Sequence, residues 1–419
     1  MKREGFSDAF AVMKVPDFRF FLGYRFFMTT AVLMQSVVVS WQLYDLTKNV
    51  LSLGLIGLTE VIPQVAIALF AGHYVDIWDR KRIIVNTSLL LLLGAAILLV
   101  YSLPQLNLFV LYHTVPIFIT IFIVGLTRGI LMPANTAIMG QLVSRDLYTN
   151  AATWNSANWH IAAVVGPAIG GLVYGFFGIV AAYSVVFVFY LISILLVLKI
   201  RTKTAAVVVN SEESIFTRIN QGIKYVFNNQ VILGSLSLDM FAVLFGGALA
   251  MLPVFASDVL KVGPQGLGIL RASPALGAIL MALILAVWPP VKRTGFYLFT
   301  CVTGFGICMI AFALSENFYL SLFILFMSGV FDNMSVVIRG TIIQIYTPDE
   351  MRGRVAAVNS IFVGSSNELG AFESGLAARI MGLVPSVIFG GAMTLAVVAA
   401  SLPVFPKLRK MSLKADQSL

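Results

Sequence analysis

Residues 178–199 read GIVAAYSVVFVFYLISILLVLK, and residues 200–229 that follow read IRTKTAAVVVNSEESIFTRINQGIKYVFNN. The first stretch is apolar up to its final lysine. At 1.5 Å per residue it is long enough to cross a hydrocarbon core about 30 Å thick. The second is the longest polar stretch in the chain and cannot cross. Working outward, apolar runs like the first recur at approximately 18–45, 51–72, 82–103, 112–140, 151–176 and 178–199 before the polar stretch. Six more follow it, at 230–256, 265–288, 294–314, 318–346, 354–381 and 383–404. None alternates strictly between apolar and polar residues, which predicts helices and not a barrel. The expected fold is an all-α polytopic membrane protein with twelve transmembrane helices in two six-helix bundles.

That pattern divides the chain into an N-terminal cytoplasmic or interfacial segment (1–17), a first bundle (18–199), a central linker (200–229), a second bundle (230–404) and a tail (405–419). Composition agrees with it. Hydrophobic residues make up 59% of the 419 and charged residues 11%, whereas a soluble protein carries about 25% charged and could not be coated with less than half of that. Cys301 and Cys308 both lie in an apolar run, which excludes a disulfide scaffold. His73, His113 and His160 are far apart with no metal-ligand spacing, so neither a metal nor a cofactor is expected. Two short polar segments carry amphipathic spacing. Phe6, Ala9, Phe10 and Met13 suggest a helix lying on the membrane surface, and Ile215, Ile219, Ile223 and Phe227 suggest a second within the linker.

Positive charge sets the orientation. Lys48 and Lys261 alone fall on one face, while Arg25, Arg128, Arg271, Arg339 and Arg379 lie inside spans. Every other Lys and Arg falls on the face that holds both termini, which predicts a multi-pass protein of the plasma (inner) membrane with both ends cytoplasmic. The net charge of +9 then reports topology and contact with anionic lipid heads and gives no support to nucleic-acid binding.

Shifting the sequence by 204 residues aligns Ala152 with Ala356, Asn155 with Asn359, Ser156 with Ser360, Gly166 with Gly370, Gly171 with Gly375 and Leu172 with Leu376. Both segments start at a charged turn, at Asp146 and Glu350, and form the fifth span of their half. A six-plus-six parallel repeat follows, and with it a binding site near the midplane between bundles that can rock.

The turn between the second and third spans reads GHYVDIWDRKR, with Gly72, Asp76, Arg80, Lys81 and Arg82. It resembles the signature loop of the major facilitator superfamily, with Asp79 where the commonest form has Gly. The Asp-Arg-Lys-Arg run, LGILRASPALGA around Arg271 and TPDEMRGRVAAVNSIFVGSSNELGAFESG from Thr347 to Gly375 resemble its drug and siderophore exporter branch. Asp76 could latch the cytoplasmic side shut by meeting a helix end or an arginine. The corresponding turn of the second half, WPPVKRTG, lacks both the Gly and the Asp. In the fifth span Gly166, Pro167, Gly170 and Gly171 resemble the antiporter motif of the superfamily's exporters, with Thr153 and Ala162 in place of its upstream glycines.

Charges inside spans need a partner or a cavity, because each costs about 2.5–3.5 kcal/mol at mid-membrane. The acids are Glu60, Asp239, Asp332, Glu368 and Glu373, against the five arginines above. Asp332 and Arg339 are seven apart, two turns along one helical face. The resemblance implies that spans 1, 4, 7 and 10 line a central cavity, which would expose Arg25, Arg128, Asp239, Asp332 and Arg339 to it. It also implies that Arg128 stands where the family carries an arginine associated with proton coupling. Asp239, Asp332 or Glu60 is expected to take up a proton in one state and release it in the other, and a permanent ion pair is the alternative. Phe27, Trp41, Phe241 and Phe245 could wall a bulky amphipathic substrate.

The expected function is secondary active transport, proton-coupled efflux of a drug-like compound or siderophore by a monomer. An importer or lipid flippase of the same fold is the rival. A polytopic membrane enzyme is the alternative of another class, but the chain offers neither GxxxxGK[ST] nor HExxH.

Overall fold

The computed structural model describes residues 10–201, 215–288, 290 and 292–412. Among them the regular elements are helices. The first four spanning helices are α1 (Pro16–Thr47), α2 (Val50–Ile77), α3 (Arg80–Tyr101) and α4 (Val115–Leu142). Tyr148–Leu198 follows as one run but breaks at Gly178 (φ 83°, ψ 175°) into α5 (148–177) and α6 (179–198). After the linker come α7 (Gln230–Phe245), α8 (Gly263–Val287), α9 (Thr294–Ala313), α10 (Phe318–Tyr346), α11 (Arg352–Met381) and α12 (Leu383–Val404). Ten described stretches are long and apolar enough to cross a membrane, and one of them, Arg145–Leu198, holds both α5 and α6. Helix α11 has 30 residues but carries Arg352, Arg354, Glu368, Glu373 and Arg379, so length and not apolarity qualifies it. These helices are compatible with twelve spans.

The 204-residue shift holds beyond the aligned segment. A single 3-10 turn precedes α5 at Arg145–Leu147 and precedes α11 at Asp349–Met351. The break after α5 falls at Gly178 and the break after α11 at Gly382 (φ 92°, ψ 162°), both conformations that a side chain would strain. Helices α4 and α10 end at Leu142 and Tyr346, again at the same spacing.

Two expectations need correction. The run 230–256 is not one helix: α7 stops at Phe245, and the chain continues through a 3-10 turn (Gly247–Met251), a short turn (Leu252–Val254) and a π turn (Phe255–Val259). Gly246 and Gly247 lower the helix propensity where it stops. The proposed N-terminal surface helix is, where described, a 3-10 turn at Ala11–Lys14, with the Phe10 ring 5.1 Å from that of Trp154. Phe6 and Ala9 lie outside the described residues. The linker does form a helix, Ile215–Asn228. Gly222 and buried Val226 pack it inward, the Tyr225 hydroxyl donates to the Tyr346 carbonyl (2.7 Å), and Ile223 and Phe227 are left exposed.

By contacts the chain forms two compact units, Met1–Leu43 with Ile62–Asn210, and Tyr44–Val61 with Ser211–Leu419. Within the first, α1 is a polar spine: the Tyr190 hydroxyl donates to Gln35 (3.1 Å) and the Tyr183 hydroxyl to Gln42 (2.6 Å). Such bonds satisfy groups that hydrocarbon would leave unpaired. Within the second, Tyr44–Val61 is held by a Tyr44 hydroxyl donating to Asp258 and by close packing of Gly54 and Gly57 on α11 at Gly375 and Glu368.

Gly166 of α5 packs on α1, where a Cβ would stand 2.9 Å from the Thr30 carbonyl oxygen; Gly370 of α11 packs on α7, 2.8 Å from that of Val243. Gly166→Val and Gly370→Val should each destabilise the protein by about 1–3 kcal/mol through overpacking. Gly340, which has nothing within 4 Å, should accept alanine with little change. Thermal unfolding in detergent measures the difference.

Candidate functional site

The freed end of α7 organises the charges of the second unit. Where α7 gives way to the 3-10 turn, the Leu249 carbonyl is captured by the Arg271 guanidinium from α8 at 2.9 Å. Arg271 also lies within Coulombic range of Glu368 on α11 and Glu60 on α2. The absence of a side chain at Gly57 makes that grouping possible, because a Cβ there would overlap the Glu368 carbonyl oxygen. One arginine thus serves two carboxylates and a broken backbone. Irregular backbone in a membrane is tolerated where protein groups satisfy it in this way. Glu373, two positions from Ala371, is half-buried beside Ser374 (3.5 Å).

A second constellation joins α7 to α10. Asp239 and Arg339 form an ion pair, both 6% exposed. Two turns before Arg339, Asp332 is exposed, and its charge reaches the buried Cys301 thiol on α9. In the first unit the corresponding link between α1 and α4 is neutral: the Tyr24 hydroxyl donates to Asn135 at 3.1 Å. Asn135 and Arg339 are 204 positions apart and occupy one station of the repeat. Arg128 and Asp332, also 204 apart, share another and are both exposed. Arg25 does not meet a carboxylate through its Nε, which donates to Asn155 on α5 at 3.3 Å.

The loop and the fifth-span motif resolve differently from one another. Gly166 and Gly170 contact Thr30 and Met34 of α1, and Pro167 and Gly171 are buried, so this motif makes a close helix crossing. In the loop, Asp79 caps α3 by accepting from the Arg82 backbone N–H at 3.0 Å. Lys81 donates to the Leu198 and Ile200 carbonyls (2.8 and 2.7 Å), closing the end of α6. Arg80 is half-buried and Arg82 exposed. The surroundings of Gly72 and the side chain of Asp76 lie outside what the structure describes. Of the aromatic candidates, Phe27 packs edge-on to Phe189 at 5.5 Å, Phe241 and Phe245 stack at 6.5 Å, and Trp41 is half-buried.

Sequence reasoning left Arg271 out of the site and read Lys81 only as part of a basic cluster. An arginine inside an apolar span was the available signal for the first. No signal announced the second, because the acceptors are backbone carbonyls of a distant helix.

Comparison with known proteins agrees with this architecture. The profile of the transmembrane secretion effector family of the major facilitator superfamily matches residues 7–418. The staphyloferrin A transporter of Staphylococcus aureus is 22% identical over 96% of this chain and 98% of its own. Macrolide efflux protein A of Streptococcus pyogenes is 20% identical over 92% and 95%, and the multidrug efflux pump Tap of Mycolicibacterium fortuitum 24% identical over 90% and 92%. Among solved structures, a bacterial homologue of the iron transporter ferroportin superposes with a TM-score of 0.68 at 16% identity, covering 94% of this chain and 99% of that one. A peptide-transporter-family (POT) structure superposes with a TM-score of 0.73 at 10% identity, covering 93% and 96%. These structures speak to the fold alone. The full-length family match, the spanning helices and the paired repeat place this chain in the membrane as a secondary transporter, not an enzyme, and it belongs to the transmembrane secretion effector family of the major facilitator superfamily.

Proposed function

We propose that the protein is a proton-coupled exporter of small organic molecules, drug-like compounds or siderophores, working as a monomer in the plasma (inner) membrane with both termini in the cytoplasm. The relatives named as efflux pumps and as a siderophore transporter support the direction and the substrate class. The chain comprises a first bundle (18–199) and a second (230–404), with the linker 200–229 on the cytoplasmic side and alternating access as the mode of transport.

The observation that carries proton coupling is the contrast between Asp239–Arg339 and Tyr24–Asn135. Both link the same pair of helices in their halves. The neutral bond serves the first half, so packing alone does not call for charge at that station. A buried ion pair is no better for stability than apolar or neutral packing. Its use is chemical: a proton on Asp239 cancels the attraction to Arg339, frees the guanidinium for an anionic or carbonyl-bearing substrate, and biases the conformation. Asp332, two turns away and exposed, is the point of proton entry. The Glu60–Arg271–Glu368 cluster keeps the broken end of α7 in place, Glu373 borders it, and Arg25 and Arg128 are cations within the spans of the first half.

In proteoliposomes with an imposed pH gradient, Asp239→Asn should lose about tenfold of gradient-driven accumulation, the scale of a coupling free energy of about 1–3 kcal/mol. Substrate exchange without a gradient should persist. Gradient-driven accumulation equal to wild type in Asp239→Asn would remove Asp239 as the coupling group. Uptake by right-side-out vesicles but not inverted ones would reverse the direction and favour an importer.

Arg271→Gln removes the cation near Glu60 and Glu368 and the guanidinium donor to the Leu249 carbonyl. It should destabilise the second unit by about 1–3 kcal/mol, the cost of leaving a hydrogen-bonding group unsatisfied. The triple variant Glu60→Gln, Arg271→Gln, Glu368→Gln should recover part of that loss, read as thermal stability in detergent.

A further inference from the structure

We propose that a cavity at one end of the first unit binds the phosphate headgroup of an anionic phospholipid. The cavity has a volume of about 1020 Å³ and is walled by the start of α1 (Asp17, Phe20), the start of α3 (Asp79, Lys81, Arg82, Val85) and the end of α6 (Leu198 to Arg201). Each wall is the terminus of a helix of spanning length, so the cavity lies at the depth of lipid headgroups.

Its polar groups are left donor-rich. Lys81, Arg82, Lys199 and Arg201 line it against two carboxylates, Asp17 and Asp79. Both carboxylates are engaged by backbone: Asp17 accepts from the Arg201 N–H (3.0 Å) and Asp79 from the Arg82 N–H (3.0 Å). Lys81 is engaged by the carbonyls that end α6. The Lys199 ammonium stands 5.8 Å from the centre of the Phe20 ring. Among the described residues the guanidinium groups of Arg82 and Arg201 pair with no carboxylate, and both residues are exposed. Guanidinium matches a phosphodiester in geometry and charge.

The apolar surroundings select a lipid over a soluble anion. From Arg82, one face of α3 continues through Leu89 and Leu93, which are 47% and 54% exposed. From Leu198, 51% exposed, one face of α6 continues through Leu195 and Leu191 at 53% and 39%. Two bare leucine tracks therefore lead from the phosphate-sized charge site along the hydrocarbon, where acyl chains attached to that phosphate would run. Basic pockets between spanning helices recognise headgroups by this combination.

The test uses the full chain in nanodiscs of phosphatidylcholine with phosphatidylglycerol, with retained lipid counted by native mass spectrometry. The readout does not depend on transport, so it stands apart from the proposed coupling. Wild type should retain phosphatidylglycerol over phosphatidylcholine. Arg82→Gln with Arg201→Gln should weaken that preference by about tenfold, whereas Lys407→Gln with Lys410→Gln, whose charges lie outside the cavity, should not. Val85→Trp, which narrows the cavity and keeps its charges, should also weaken the preference. Each variant is compared only if its thermal unfolding matches wild type, and Val85→Trp replaces the arginine pair should that pair fail to fold. Undiminished retention in the folded variants would overturn the proposal. Displacement of phosphatidylglycerol by millimolar inorganic phosphate would overturn it as well, making this a site for soluble anions.

Discussion

A peptide group surrounded by hydrocarbon has to find its partner within the protein, and this constraint governs both the regular and the irregular parts of the chain. Long helices meet it automatically. At several helix ends and breaks a side chain takes over: Asn229 and Asn317 accept from the first N–H groups of α7 and α10, Lys81 closes α6, and Arg271 catches the Leu249 carbonyl. The last two are charged, and it is through them that backbone geometry and electrostatics become one problem. Arg271 holds the broken end of α7 and lies near two carboxylates at once.

What could be read from sequence follows from the range of the forces involved. Span positions need only summed hydrophobicity, and the repeat needs only spacing; the 204-residue shift read from a handful of identities reappears in the paired turns at Gly178 and Gly382. The intramembrane charges could be named because each is an anomaly in its own run. Their partners could not. Whether Asp239 meets Arg339 or Arg271 depends on which faces of α7, α8 and α10 turn together, and single-helix periodicity carries no such information. The break in α7 was hidden for a similar reason, since the residues from Ala248 to Val254 are as apolar as any helix, and two glycines at 246 and 247 are a weak stop.

The fifth-span glycines let two helices approach closely in each half. Gly166 and Gly170 let α5 lie against α1, and Gly370 does the same for α11 against α7. The same close crossing recurs in both halves. Differences between the halves are where chemistry has room, as in the neutral Tyr24–Asn135 bond beside the ionic Asp239–Arg339 pair.

The matched turns at Gly178 and Gly382 carry an evolutionary consequence. A fold made of two copies of one plan repeats such turns in both halves while the side chains between them differ. The shared turns keep the architecture of both halves while the side chains of one half diverge. A chain of this kind can acquire a new cargo by altering a single half, much as a duplicated gene acquires a new role while its twin keeps the old one.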